Sequence, residues 1–564
     1  MKKSVLVLMV LAFSAGLLFA GGAGEKAATT ATATAARYPA TVDPWAKYPS
    51  PVTATFAAVT NSAEKFPQGD SYTQNVWTRS LLEEMNIKMV EKYEATDVKP
   101  SQFETKTNLA IVSNDLPDLI TLTNADQFRR LVAAGRLEDL TEAYAKFAYP
   151  LFKQWFESDG GTRKGWGTVG GKLLGISPSQ VNYMSPRMVF IRRDWRQKTG
   201  LPVPKTMDEV IAMARAFKAM DPKNRYGLLI TKDILENGMS DLQGIANSMG
   251  VYPRMWLDDG TGKLVYGSVQ PGMKDVLKLY RQLYAEGLIN PEFATTSGGD
   301  SAEQLTNGKV GIAVNSFWLT SWPLNELYDK DGVEWDAYPL PPMKGYLKDA
   351  KVMVQTDNMD LRFFAVRKGY ANPEVLVKVL NYEAARLNDP ERAQTEKFHS
   401  DANYDYQMMA PFYPPFAPLT INLDTNTNVT NAIDRNDTKY LVTAHDKLQY
   451  GRVKSYVDAV KAGTKPGSED WVAYNFFYGP SSAFGVLNYY WSSKLVLTSP
   501  AVGIQTNEMA RKQDTLNNLE LQYYTQIITG QKPLDGFDQW VKDWKDLGGD
   551  LISYEINDWY KSSR

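Results

Sequence analysis

The stretch FIRRDWRQKTGLPVPKTMDEVIAMARAFKAM, Phe190 to Met220, decides the fold. It opens on an apolar strand, runs into a helix of basic residues around Asp194, stops at Gly200-Leu201 and starts a second helix at Thr206. Thr206 and Glu209 are spaced as a capping box, and Val210, Met213, Ala214, Phe217 and Met220 share one helix face. An apolar strand passing into amphipathic helices is the repeating unit of an α/β domain.

The same alternation extends outward from Pro51 to the C-terminal region. VTATFAAVT reads as a first strand ending in a loop at Asn61, and LPDLITL as a buried strand running into Thr123, Asn124 and Asp126. PGMKDVLKLYRQLYAEG is a helix with Pro271 at its start and Gly287 as its stop. Its stripe is Met273, Val276, Leu277, Tyr280, Leu283 and Tyr284. NPEVLVKVLNY repeats the logic, with Asn372 as cap and Pro373 at the first helical position. Such stripes are core.

At 564 residues the chain exceeds what one core organises, so two or more domains are expected. Lys plus Arg number 62 against 64 Asp plus Glu, a net charge of -2 that argues against a nucleic-acid partner. The absence of cysteine excludes disulfides, thiolate metal sites and cysteine nucleophiles. With only His399 and His445, any Ser–His or histidine metal site must use one of the two. The 31 Tyr and 14 Trp supply flat rings with polar edges, which suit sugar faces as well as cores.

Lys2-Lys3, the apolar run Val5 to Ala20 and the small residues of GGAGEK describe a signal peptide over residues 1–20, too short to span a membrane comfortably. The chain is therefore expected to be exported, to the periplasm or the cell exterior. In LFAG, Gly21 stands where a lipoprotein signal has its acylated Cys. The mature chain is expected to begin near Gly21 without lipid, membrane anchoring following only if a lipobox Cys was replaced there. Residues 21–50, Ala/Thr-rich at their centre, read as a flexible tether.

GWGTVG, Gly165 to Gly170, matches the dinucleotide fingerprint in letters but lacks a strand before it and a helix after it. GGKLLG fails as a phosphate loop because Leu173 stands where Ser or Thr would hold magnesium. There is no G-x-S-x-G elbow, and nothing singles out one carboxylate pair. No catalytic residue, cofactor or metal ligand is assigned.

Several blocks, in order, resemble the bacterial extracellular solute-binding proteins of family 1, sugar-binding partners of ABC importers that include maltose-binding protein. They are SNDLPDLI, GGKLLGIS, the opening FIRRDWRQKTGLPVPKTMDEV, LYAEGLINPEF, NGKVGIAVNSFW and FFAVRKGYANPEVLVKVLNY. The C-terminal IITGQKPLDGFDQWVKDWKDLGGDLISYEINDWY resembles the larger, lipoprotein LipO-like oligosaccharide-binding branch.

The resemblance implies a two-lobe α/β periplasmic-binding fold of type II-like architecture, with discontinuous lobes joined by a hinge near Met184 to Ile191. The N-lobe would comprise residues 51–185 with about 345–400, the C-lobe about 188–342 with about 400–564. It implies a non-enzymatic monomer that captures a neutral or weakly acidic oligosaccharide between its lobes and delivers it to importer membrane subunits. The extra C-terminal length would widen the cleft.

By the same resemblance, Asn124 and Asp126 contact sugar hydroxyls from the N-lobe, beside Asn61, with Asp126 also placed to cap the helix QFRRLVAAG. Trp318 is the stacking platform and Trp322 its neighbour. Tyr183, Ser185 and Arg187 stand at the hinge position, where Arg187 would favour a charged sugar. Trp471, Tyr474 and Tyr478 supply the second wall. DPKNRYG is too short and basic for the calcium loop of some relatives, so no calcium site is expected. The rival reading is a secreted glycan-active hydrolase or lyase; a binder of peptides or other nutrients would differ only in its cleft lining.

Overall fold

The computed structural model describes residues 37–562, apart from 61–64, 97–100, 180–182, 236–237, 358–360, 400–403 and 414–415. The expected signal peptide, residues 21–36 of the expected tether and Asn61 lie outside the described residues.

The first strand, Val52–Thr60, pairs in parallel with Ile87–Thr96 on one side and Leu119–Leu122 on the other. Parallel neighbours need crossovers, here the helices Val76–Met85 and Gln102–Ser113. Phe363–Val366 returns from far along the chain to add an antiparallel edge against Leu119–Leu122. All four residues of Leu119–Leu122 are buried, as a strand covered on both faces requires. The second sheet has three strands, in the order Trp335–Tyr338, Met188–Arg192, Ile312–Asn315, and both pairings are antiparallel. Parallel pairing between these two sheets is therefore confined to the first.

Two large hydrophobic cores follow the two sheets. The smaller runs from Ala54 to Ile176 and from Phe364 to Phe416; the larger runs from Met188 to Val354 and from Leu423 to Tyr560. Between the residues of the two cores lie, among the described residues, 177–179 with 183–187, 355–357 and 417–422. The returning segment of the first lobe thus reaches Phe416, beyond the expected boundary near 400, and Val352 and Val354 belong to the second lobe.

The opening stretch behaves largely as its letters require. Thr206 Oγ1 accepts from Glu209 N to cap Met207–Ala219, but the Glu209 carboxylate takes Lys205 N, 2.7 Å away, so the box is not reciprocal. Met220 lies past the helix end, 36% exposed, and leaves the stripe. The glycines of GWGTVG and GGKLLG serve a tight hairpin, Thr168–Val169 with Lys172–Leu173, whose turn needs the positive φ of Gly170 and Gly171. A Cβ on Gly167 would lie 1.9 Å from the Gly175 carbonyl oxygen, so close backbone approach, not phosphate, explains that glycine.

Residues 37–50 correct the expected tether. Tyr38 and Tyr48 hydroxyls donate to the two Glu374 oxygens at 2.9 and 2.8 Å, Lys378 donates to Pro44 and Ala46 carbonyls, and Trp45 packs edge-on against Tyr149. This segment helps bury the helix Glu374–Asn388 on nearly every side, Lys378 and Glu383 included. The C-terminal helices Asn507–Ile528, Gly536–Trp544 and Asp550–Ser562 build outward on the second lobe, with Trp544 stacked on Tyr266 at 5.2 Å.

Candidate functional site

The carboxyl ends of parallel strands leave their last residues and following loops facing a crevice, where ligands of α/β folds are bound. At that end of the first sheet lies an open recess of about 590 Å³, counting space continuous with solvent. Phe56, Ala58, Val59 and Thr60 come from the first strand, Thr121 from the third, and Arg362 and Phe364 from the returning edge. Tyr72 and the segment Met408 to Tyr413 close the sides.

That segment is pinned from behind. Trp77 Nε1 donates to Tyr406 O at 2.6 Å, Asn75 Nδ2 donates to Met409 O at 3.0 Å, and Phe412 N donates to Glu383 Oε1 at 3.1 Å. Glu383 is wholly buried, and burial pushes its carboxyl up to about 8. Arg362 is tied to the first crossing stretch: Ser179 Oγ accepts from its N and Ser177 Oγ donates to its O, each at 2.8 Å. One wall of the recess is therefore fastened to the first crossing stretch, while all its lining residues come from the first lobe and its returning segment.

The crossings run side by side. Arg187, 1% exposed, donates from Nε and Nη2 to Asp241 Oδ2 at 3.0 and 2.6 Å, from Nη1 to Asp357 Oδ2 at 3.1 Å and from Nη1 to Ser185 O at 2.6 Å. Burial opposes its charge, but Asp241 and Asp357 overcome that and hold the guanidinium above its ordinary range. Ser185 Oγ accepts from Asp357 N at 2.8 Å, which ties the first crossing to the second. Asn422, at the third, lies 3.2 Å from Met184 Sδ.

None of the described residues expected from the sequence is among those lining the recess, and several have other employment. Arg187 and Ser185 are buried pins of the crossings, each 1% exposed, so neither presents itself to a sugar. Tyr183 packs on Trp491 with ring centroids 4.6 Å apart and accepts from the indole N–H through its carbonyl. Asn124 is the true cap of Ala125–Ala133, accepting from Gln127 N at 3.0 Å and donating to Glu104. Asp126, expected at the cap, sits in the first turn between Arg129 and Arg130, at 3.9 and 3.6 Å. Arg129 in turn reaches Gln505 of the other lobe through two 3.0 Å bonds.

Trp471 is a core residue, 1% exposed, stacked on Tyr328 at 4.8 Å and donating to Glu334; it corrects the expected wall. Tyr474 stacks on Tyr456, and the Tyr478 hydroxyl donates to Asp434. Trp318, half-buried, lies in the turn Phe317–Thr320 that follows Ile312–Asn315, and Trp322 is 41% exposed. Of the lining residues, those within Met408 to Tyr413 carried a usable signal: the letters MMAPFY, aromatic and proline-bearing, between helical patterns. Among the described residues no group of three or more Asp, Glu or His side chains is gathered as a metal site would need.

Residues 88–382 match the family described as bacterial extracellular solute-binding protein. The chain belongs to that family. Among its solute-binding relatives, lipoprotein LipO of Bacillus subtilis is 23% identical over 512 residues, spanning 85% of this chain and 89% of its own. The polygalacturonan/rhamnogalacturonan-binding protein YtcQ of the same organism is 26% identical over 276 residues, 45% of this chain and 52% of that one. The solved structure of Streptococcus pneumoniae FusA, an ABC-transporter substrate-binding protein in complex with kestose, superposes with a TM-score of 0.60 at 17% identity. It covers 91% of this solute-binding chain and 99% of its own. At that identity the likeness is one of fold, and the fold is the two-lobe one. Among the described residues no helix is long and apolar enough to cross a membrane.

Proposed function

We propose that this solute-binding protein is exported, captures an oligosaccharide between its lobes with the first-lobe recess as one wall, and delivers it unaltered to the membrane subunits of an ABC importer. The observation that carries the reading is the recess itself, at the carboxyl ends of parallel strands and beside the crossings. Tyr413, 45% exposed, and the half-buried Tyr72 offer it ring surface and Thr60 a hydroxyl, over a floor of the buried Phe56, Phe364, Phe412 and Thr121. Flat rings bury the C–H faces of a sugar, while hydroxyls meet its polar rim. Two relatives whose names specify carbohydrate ligands, a polygalacturonan/rhamnogalacturonan and a fructooligosaccharide, support the ligand class.

Thermal shift against an oligosaccharide panel tests the reading, since a ligand selective for the native state raises the melting point. The ligand that does so should reduce the radius of gyration in solution scattering, because lobes that both touch a sugar close on it. Its chain length should be unchanged after prolonged incubation. Shortened products would replace binding with hydrolysis, and a panel without a single binder would end the oligosaccharide reading.

A further inference from the structure

Asn75 caps the helix Val76–Met85, its Oδ1 accepting from Trp77 N at 2.9 Å and from Thr78 N at 3.3 Å. That duty needs only a side-chain oxygen, and Ser, Thr or Asp would supply one. Asn75 also brings an amide nitrogen, which donates to Ser71 O at 3.1 Å, Tyr72 O at 3.0 Å and Met409 O at 3.0 Å. A side-chain amide has two N–H donors, so with three carbonyls one donor is shared. The residue is wholly buried, with both ends of its side chain engaged. The cap accounts for the oxygen and leaves the amide to be explained.

Its three carbonyls belong to two segments that line the recess. Tyr72 stands in a tight turn where Ser71 N donates to Gln74 O at 2.9 Å, and Met409 lies between the lining residues Met408 and Ala410. Asn75 is 3 residues from Tyr72 and 334 from Met409, so one planar group joins parts of the wall that the chain itself keeps far apart. Trp77 and Glu383 brace the second segment at two further points, through Tyr406 O and Phe412 N. Thr78 has only the capping duty: its hydroxyl accepts from Asn75 N at 3.0 Å and donates to Asn75 O at 3.2 Å.

We propose that Asn75 is a positioning residue of the recess: its amide ties the turn carrying Tyr72 to the segment Met408 to Tyr413 and sets the spacing of these two parts of the ligand wall. This rests on the reading of the recess as one wall of an oligosaccharide site. Because the tie is made by donors and the cap by an acceptor, substitution separates them. Asn75→Ser keeps a capping oxygen and removes both amide donors. Thr78→Val keeps the branched shape, removes half of the capping box and leaves the tie in place.

The test is amide hydrogen exchange of the full chain without sugar, followed by calorimetric titration with kestose, trigalacturonate, maltotriose and cellotriose. In Asn75→Ser, exchange should rise roughly tenfold or more over Ser71 to Gln74 and over Tyr406 to Phe412, while the helix Val76–Met85 keeps its protection. A sugar that binds the unmutated protein should bind Asn75→Ser roughly tenfold or more weakly. Thr78→Val should do the reverse, fraying the helix start while both segments stay protected and affinity is unchanged. In the unmutated protein the two segments should open together, with one dependence on urea. Undisturbed exchange at both segments in Asn75→Ser, full affinity in that variant, or separate opening of the segments in the unmutated protein overturns the proposal. If none of the four sugars nor any other oligosaccharide binds the unmutated protein, the oligosaccharide reading fails, and exchange alone decides whether Asn75 ties the segments. Should Asn75→Ser not fold, the joint opening in the unmutated protein decides.

Discussion

His399 and His445, the only histidines in the chain, stack on one another with ring centroids 5.9 Å apart and planes 22° from parallel. His399 follows Phe398 of the first lobe's core, and His445 lies on Ala444–Lys461, whose Val453 and Tyr456 belong to the second. The pair therefore sits across the lobe junction. Neither His445 ring nitrogen has a hydrogen-bond partner among the described residues, and the ring meets Phe477 edge-on.

Burial lowers His399 to about 4 and His445 to about 3, the latter also through His399; Arg452 lowers both, while Asp405 acts upward on His399 and Asp446 on His445. Because both lie below the ordinary 6.5, the unfolded chain takes up protons first as the solution is acidified. The stability of the neutral pair is complete above about pH 6.5 and is lost as pH falls through about 4 and 3. Melting measured between pH 7.5 and 4 should show a loss of roughly 2–4 kcal/mol over that window. His445→Phe should flatten most of it.

Glu383 titrates with the opposite sign. Its carboxyl, raised to about 8, stays neutral in the fold, so stability is complete below its ordinary pKa and is lost as pH rises through 8. Glu383→Gln should therefore stabilise the protein at pH 8 relative to pH 5, on the order of 1–3 kcal/mol in denaturant titrations at the two values. An equal effect at both would show that Glu383 is ionised in the fold.

Removing Arg187 strands Asp241, whose side chain is 2% exposed, and loosens Asp357. Arg187→Met should cost about 3–5 kcal/mol in urea unfolding, and adding Asp241→Leu should return a large part of the loss. A double variant no better than the single one would mean that packing, not the stranded charge, dominates.

Residues 37–50 should behave as part of the first lobe. Tyr48→Phe removes one of the two tyrosine donors to the buried Glu374 and should cost roughly 1–3 kcal/mol. Deleting residues up to 50 should cost more, since Lys378, which burial lowers to about 8, also loses the Pro44 and Ala46 carbonyls. Unfolding curves of the three proteins check this.

Trp318 is half-buried, so its truncation separates ligand contact from fold. If it faces the bound sugar, Trp318→Ala should weaken the best ligand by ~2 kcal/mol or more with only a small fall in melting point. Normal affinity with a lowered melting point would make it a core residue and pass the role to Trp322.

The character of individual elements was legible in the letters. The strands Val52–Thr60 and Leu119–Leu122, the cap at Thr206 and the stripe of Gly272–Ala285 follow from short-range preferences, which a window of a dozen residues contains. The family blocks added the two-lobe plan, because their order is a property of the sequence.

The site was another matter. Asp126 reads as the cap on paper, and only backbone geometry gives the cap to Asn124 and leaves Asp126 beside two arginines. Trp471 reads as an aromatic wall candidate and is 1% exposed, while Tyr413, which the sequence reading passes over, is 45% exposed and lines the recess. The recess is built from segments that meet only in three dimensions: Trp77 holds Tyr406 across 329 residues, and Ser179 holds Arg362 across 183. Periodicity within an element says which face is apolar, but not which distant segment covers it. That is decided by the packing of whole elements, and with it whether a ring, an arginine or a carboxylate ends in the core, at the hinge or at the ligand.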